Sequence, residues 1–233
     1  TTYFQPMATK GTDGTDVGST LTTQGDILYR DGSGLQRLPK GTAGQVLQMN
    51  AGATAPEYGN LSSDFVKITT QTLGSDVTTW NLDGYFSATY RHYVYYMDKL
   101  RTSSQGGWIR IRFNTSAGTP YTGNNYDKKI ISLYQGSVGH NSDNDSDAFT
   151  PVQNSTTTAK TGVVRMELFD PEATAYTGCT FQSKGFDGAT NGYHASGGVT
   201  LKLGQALTGI SITDNNGSTL YSGARVTIYG VKV

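Results

Sequence analysis

The sequence has little cysteine, little charge and no long apolar run. Its single cysteine, Cys179, cannot form a disulfide within the chain, so packing or oligomerisation must hold the fold. Residues 176–181 are typical of a strand, which predicts a small, buried, apolar role for Cys179. A nucleophilic cysteine would need a histidine and an orienting group nearby, and no sequence pattern supplies them.

Charged residues make up only 15% of the chain, and its net charge is zero. In soluble proteins, about a quarter of the residues are usually charged. No basic stripe is visible, which argues against nucleic acid as a partner. The longest apolar runs cover a few residues, so we expect no membrane span. Residues 1–10 lack the apolar core of a signal peptide, so a secretory route is not indicated.

Candidate metal ligands are few and scattered. The chain has three histidines, His92, His140 and His194, and none belongs to an HExxH or HxH pattern. His92 lies in an apolar strand and is predicted to be structural. The alternating acids of residues 143–147 resemble the start of a calcium loop, but Ala148 and Asn154 stand where that loop needs Gly and Glu. We therefore predict a solvated acidic loop, with calcium binding as the alternative, and no cofactor.

The sequence is rich in glycine and tyrosine, with 30 and 15 residues. Glycine supplies tight turns, and tyrosine and threonine suit half-buried strands. Ile109, Ile111 and Phe113 alternate with Arg110 and Arg112, which is the period-two pattern of a strand with one buried face. Several such strands predict an all-β fold, with residues 62–233 forming a two-sheet sandwich or jelly roll.

Ten strands are predicted in this domain, and two long polar loops are predicted between them. The loops are residues 136–160 and 185–198. The strands are predicted at residues 65–71, 77–82, 90–100, 108–115, 128–135, 162–169, 178–184, 199–203, 208–213 and 224–233.

Residues 1–61 form a different, glycine-punctuated segment without tryptophan. It buries too little apolar area to offset the entropy of ordering, so it needs a partner surface or copies of itself. Residues 25–30, 35–38 and 45–49 are predicted short strands, separated by turns at residues 31–34 and 41–44. Three intertwined copies would share a core, so we expect a homotrimer. The predicted attachment and trimerisation residues are Ile27, Leu28, Tyr29, Leu35, Leu38, Val46 and Leu47.

Residues 21–59 resemble a segment widespread in bacteriophage tail-fibre and virion proteins, with the pattern TTKGDLL…GSG…RLPVGTNGQVL…ATGLKW. The matching residues, in order, are Gly25-Asp26, Arg37-Leu38-Pro39, Gly41-Thr42, Gly44-Gln45-Val46-Leu47 and Ala55-Pro56-Glu57-Tyr58, with Tyr58 in place of the usual Trp. Residues 90–96, 108–113 and 223–231 look like parts of the jelly-roll modules that end many such proteins. The resemblance implies a trimeric fibre, spike or capsid-decorating protein in the virion, whose partners are capsid or tail proteins.

Two alternatives to a purely structural role remain open. A lectin-like module would recognise host surface polysaccharide through aromatic rings in glycine- and asparagine-rich loops, namely Tyr121, Tyr126, Phe149, Phe186 and Tyr193. The same rings would otherwise plug the ends of the sandwich. A polysaccharide-cleaving spike would pair carboxylates on a repetitive coil. The sequence has no such repeat, its acids are scattered, and no G-x-S-x-G element occurs, so we expect no enzyme activity.

Overall fold

The computed structural model describes residues 17–134, 137–146, 148–153, 156–157, 160–187 and 191–232. The chain divides into two compact units, Thr1–Ser63 and Asp64–Val233, which we call the N-terminal unit and the β-domain. The boundary predicted from the sequence lay at residue 61. No described helix is long and apolar enough to cross a membrane.

The described part of the N-terminal unit, residues 17–63, consists of one helical turn and two hairpins. Strand β1 pairs with β2 and β3 pairs with β4, both antiparallel. The elements are α1 (Val17–Thr20), β1 (Ile27–Asp31), β2 (Gly34–Leu38), β3 (Gln45–Met49) and β4 (Pro56–Asn60).

The turn of the first hairpin forms where the Asp-Gly dipeptide predicts it. Asp31 Oδ1 accepts the backbone N–H groups of Ser33 and Gly34 at 2.7 and 3.0 Å, and Gly34 has a φ of 136° that favours glycine. The strand, turn and strand predicted for residues 25–38 are therefore confirmed. Strand β4 was missed because it begins with Pro56, a residue that rarely enters a paired strand.

Thirteen strands build the described part of the β-domain. They are β5 (Phe65–Thr72), β6 (Thr79–Asp83), β7 (Tyr90–Leu100), β8 (Trp108–Ser116), β9 (Thr119–Pro120), β10 (Tyr126–Tyr134), β11 (Ser137–Ser146), β12 (Phe149–Gln153), β13 (Gly162–Phe169), β14 (Thr177–Asp187), β15 (Asn191–Leu201), β16 (Gly209–Asp214) and β17 (Arg225–Lys232).

The strands form two antiparallel sheets. The larger sheet has eight strands in the order β11-β10-β15-β14-β13-β7-β17-β5, and the smaller has the order β12-β8-β16-β6 with β9 attached to β8. Strand β17 lies between β5 and β7, so the first and last strands of the domain are neighbours. The fold is all-β and compatible with a β-sandwich.

One apolar core lies between the sheets. Ile109, Ile111 and Phe113 of β8 are fully buried, whereas Arg110 and Arg112 alternate with them. Strand β13 of the larger sheet shows the same alternation, with Val164, Met166 and Leu168 in the core. The period-two predictions are confirmed, and the predicted bounds of β7 and β13 are those observed.

Both predicted long loops are wrong. Residues 137–146 and 149–153 form β11 and β12, and residues 191–198 belong to β15. Strand β11 was missed because it is an edge strand whose described side chains are exposed, so it carries no apolar alternation. Strand β15 was missed because its glycines indicate turns, although Gly197 sits where the backbone of Lys129 approaches closely.

Two buried tyrosines should respond differently to loss of the hydroxyl. Tyr126 Oη accepts the backbone N–H of Phe113 at 3.0 Å and donates to the Tyr121 carbonyl at 3.3 Å. Tyr126→Phe would leave that N–H unpaired, so we expect a loss of about 1–3 kcal/mol in the free energy of unfolding. The hydroxyl of Tyr95 finds no hydrogen-bond partner among the described residues, so Tyr95→Phe should be neutral or stabilising.

Urea unfolding of both variants, followed by tryptophan fluorescence, measures this difference. Equal losses in the two variants would contradict the hydrogen bonds assigned to Tyr126.

Candidate functional site

The described part of the N-terminal unit, residues 17–63, has no buried core. Not one of residues 17–63 is buried, although the unit contains apolar side chains on every strand. Leu47 and Met49 point to the same side of β3 and are 52% and 53% exposed. Ile27 and Leu38 face each other across the first hairpin and are only half-buried. The unit therefore presents apolar surface that its own fold does not cover.

A carboxylate at Asp26 organises the first hairpin. Arg37 Nε donates to Asp26 Oδ2 at 2.7 Å, and the backbone N–H groups of Thr23 and Lys40 donate to the same carboxylate at 2.7 and 3.1 Å. These bonds, that from Arg37 above all, lower the pKa of Asp26 to about 2. Gly25 precedes it with a φ of 94°. The Gly-Asp and Arg-Leu-Pro elements of the motif thus have a structural reason.

The predicted attachment residues are not equally accessible. Leu35 and Leu47 are exposed. The others are half-buried, namely Ile27, Leu28, Tyr29, Leu38 and Val46. Met49 and Leu61, which were not predicted, are also exposed.

The predicted loop position is wrong for four of the five aromatic residues, and three of these four are buried. Tyr126, Phe149 and Tyr193 lie in strands β10, β12 and β15 and are buried in the core. Tyr121 packs partly buried against the same core, and Phe186 lies in β14 with Lys184 Nζ 5.2 Å from its ring centre. The alternative, in which the rings plug the sandwich, describes the three buried residues.

A cleft opens beside one of these rings. It consists of two adjoining cavities of about 430 and 390 Å³, both bordered by Trp108, Ser132, Gly139 and Tyr193. We call it the Trp108 cleft. It lies where β8 and β12 of the smaller sheet approach the inner face of β10, β11 and β15, and its size is typical of ligand sites.

The walls of the Trp108 cleft are held by specific contacts. Asn215 Oδ1 accepts the backbone N–H of Trp108 at 2.8 Å, and the backbone N–H of Asn215 returns a bond to the Trp108 carbonyl at 3.0 Å. The rings of Trp108 and Tyr193 meet edge to face, with centroids 5.0 Å apart. Burial raises the pKa of the Tyr193 hydroxyl, and its hydrogen bond with Ser132 opposes that shift.

The lining combines aromatic rings with neutral polar groups. Ser132, Asn141, Thr150 and Asn215 supply hydroxyl and amide groups that can donate and accept hydrogen bonds. None of the described lining residues is Asp, Glu, Lys or Arg, and His140 is the one histidine among them. The arrangement can bind an uncharged polar molecule with an apolar face.

The other candidate residues do not come together. His140 and His194 are exposed, and His92 packs against the ring of Phe169 at 5.0 Å. Among the described residues, no group of three or more His, Cys, Asp or Glu could hold a metal ion. Cys179 is buried, and burial raises the pKa of its thiol, as expected for an inert apolar residue.

The predicted acidic loop falls in a strand instead. Asp143 belongs to β11 and forms an ion pair with Lys128 at 3.7 Å. Asp147 lies outside the described residues.

The sequence pattern did not single out the Trp108 cleft. Trp108 was assigned only to a strand, and Ser132, Asn141 and Asn215 are ordinary polar residues. The one available signal was that Trp108 follows Gly106 and Gly107 and opens a strand, whereas the other tryptophan, Trp80, lies within one and is buried.

Comparison with known proteins gave no match. No protein-family model matches the sequence, and no curated protein or solved structure was found to be similar to it. The resemblance to phage virion proteins therefore depends on the motif of residues 21–59 and on the likeness of residues 90–96, 108–113 and 223–231 to jelly-roll modules.

Proposed function

We propose that the chain is a structural, non-enzymatic virion protein of a bacteriophage. In this proposal it is a homotrimeric fibre, spike or capsid-decoration protein. The N-terminal unit attaches it to capsid or tail proteins, and the β-domain is its jelly-roll head. The motif of residues 21–59 supports a location in the virion, and the exposed apolar surface of the N-terminal unit supports assembly into a homotrimer.

One observation supports the assembly most strongly. No residue between 17 and 63 is buried, yet the unit exposes Leu35, Leu47 and Met49. Burial of apolar area is worth about 25 cal/mol per Å², and two short hairpins are marginal alone in water. Copies of the unit would cover one another's apolar sides and supply the missing core.

Light scattering on the full chain tests the assembly. We expect a mass about three times the 24.9 kDa of the chain. The double variant Leu47→Glu/Met49→Glu should reduce that mass to one chain, because each charge would be desolvated in the shared core. Leu133→Glu is the matched control, since Leu133 is equally exposed at 54% but lies in the β-domain. A monomeric full chain at all concentrations would contradict the proposed trimer.

Electron microscopy tests the location. Particles of the phage whose genome encodes the chain should bind antibodies raised against the β-domain. Particles that remain unlabelled, while purified protein on the same grid is labelled, would contradict the virion assignment.

A further inference from the structure

We propose that the Trp108 cleft binds a neutral saccharide. The inference rests on the β-domain alone and does not depend on how the N-terminal unit assembles. It differs from the aromatic-loop prediction, because Tyr126 and Phe149 are core residues and only Tyr193 borders the cleft.

The lining matches the two kinds of surface that a sugar ring presents. A pyranose has a face of C–H groups, which packs on an aromatic ring, and a rim of hydroxyls, which both donate and accept hydrogen bonds. Trp108 is partly buried, so part of its ring remains accessible in the cleft. Ser132, Asn141 and Asn215 place hydroxyl and amide groups around the same space.

The uncharged lining of the cleft favours neutral saccharides over acidic ones. Among the residues that the structure describes, no Asp, Glu, Lys or Arg borders the cleft, so an acidic sugar would lose hydration without gaining an opposite charge from them. A neutral hexose chain carries no such cost. The same reasoning disfavours phosphorylated ligands, which need basic groups or backbone N–H clusters.

The site is pre-organised. The reciprocal bonds between Trp108 and Asn215 fix the strand end that carries the indole, and the Tyr193 ring meets the indole edge to face. Binding to a rigid site loses less conformational entropy, so even a few contacts can give measurable affinity.

The cleft lies far along the sheet from the point where the domain begins. Phe65 pairs with Val231, and this row continues across the sheet through paired residues to Thr200 of β15. Tyr193 is seven residues further along β15, which is about 23 Å of strand. The saccharide would therefore bind near the strand ends opposite Phe65.

Binding of defined oligosaccharides to the full chain tests the proposal. The neutral probes are maltohexaose, cellohexaose, mannohexaose and galactohexaose, and the acidic probe is an alginate hexamer. Titration is followed by tryptophan fluorescence and by calorimetry. We expect at least one neutral probe to bind and to change the indole emission, and no binding of the alginate. Trp108→Ala and Asn141→Ala should each weaken binding about tenfold, since each removes one ring or hydrogen-bond contact.

Two variants separate loss of the site from loss of the fold. Asn141 is exposed, so its substitution should leave the unfolding midpoint unchanged. Tyr96→Ala is the control for the loss of an aromatic ring, because Tyr96 is 42% exposed but lies on β7, outside the cleft. This variant should bind the neutral probes with the same affinity as the wild type. No binding of any neutral probe at 10 mM, or equal binding by Asn141→Ala and wild type, would overturn the proposal.

Discussion

Replacing Phe149 by Ala should lower the free energy of unfolding of the β-domain by about 3–5 kcal/mol. Phe149 is fully buried, and its ring lies 5.9 Å from that of Phe113 and 6.0 Å from that of Phe181. It joins β12 of the smaller sheet to β14 of the larger one. The variant loses the transfer free energy of the ring and leaves a cavity that two sheets cannot easily close.

Urea unfolding followed by the fluorescence of Trp80 and Trp108 measures this loss. The dependence of the free energy of unfolding on urea concentration should be the same in the variant and the wild type. Phe65→Ala is the matched control, because Phe65 is 44% exposed and its ring stacks on that of Tyr229. Its cost should be about 1 kcal/mol. If the two substitutions cost the same, Phe149 is not a core residue. A domain with 5–15 kcal/mol of stability would lose a large share of it through Phe149→Ala.

Replacing Gly185 by Ala should be similarly damaging, although it adds only one methyl group. A Cβ at Gly185 would lie 2.1 Å from the carbonyl oxygen of Gln153 and 2.5 Å from Cγ2 of Val152. The first of these is a backbone atom of β12, so the two sheets would have to separate at this point. Overpacking of this kind costs typically 1–3 kcal/mol, and we expect a loss of about 3 kcal/mol.

Gly192→Ala is the control for Gly185→Ala. Gly192 lies on β15 beside Phe186, in the strand that pairs with β14, and a Cβ there would meet nothing within 4 Å. Thermal unfolding of both variants should give an unchanged midpoint for Gly192→Ala and one lowered by several degrees for Gly185→Ala. Equal midpoints would show that β12 does not approach β14 as closely as described.

The sequence predicts strands well where one face is apolar and the other polar. Ile109, Ile111 and Phe113 identify β8 because they alternate with Arg110 and Arg112, which lie on the other face of the strand. The same signal identifies β13, whereas β7 shows no strict alternation, since its three consecutive residues Tyr93, Val94 and Tyr95 are all buried. It fails for β11, whose sequence is almost entirely polar, because an edge strand depends on its neighbour's backbone and needs no apolar face.

Glycine misleads for a related physical reason. Gly185 and Gly197 suggest turns in the sequence, but both lie within strands where another backbone comes too near for a Cβ. Such close approaches are set by the tertiary structure and cannot be seen in the local sequence. The Trp108 cleft depends on the same kind of information, because β8 and β15 bring Trp108 and Tyr193 together from distant parts of the chain. No spacing rule links those two residues.

The position of β17 between β5 and β7 has a consequence for synthesis on the ribosome. Strand β5 is translated first in the domain, and among the described strands its one partner in the sheet is β17, which is translated last. Until residues 225–232 emerge, β5 lacks this partner and β7 keeps one edge open. Open edges of this kind pair readily with other nascent chains. Chaperone binding during translation, or a pause that delays neighbouring ribosomes, would therefore favour correct closure of the sheet.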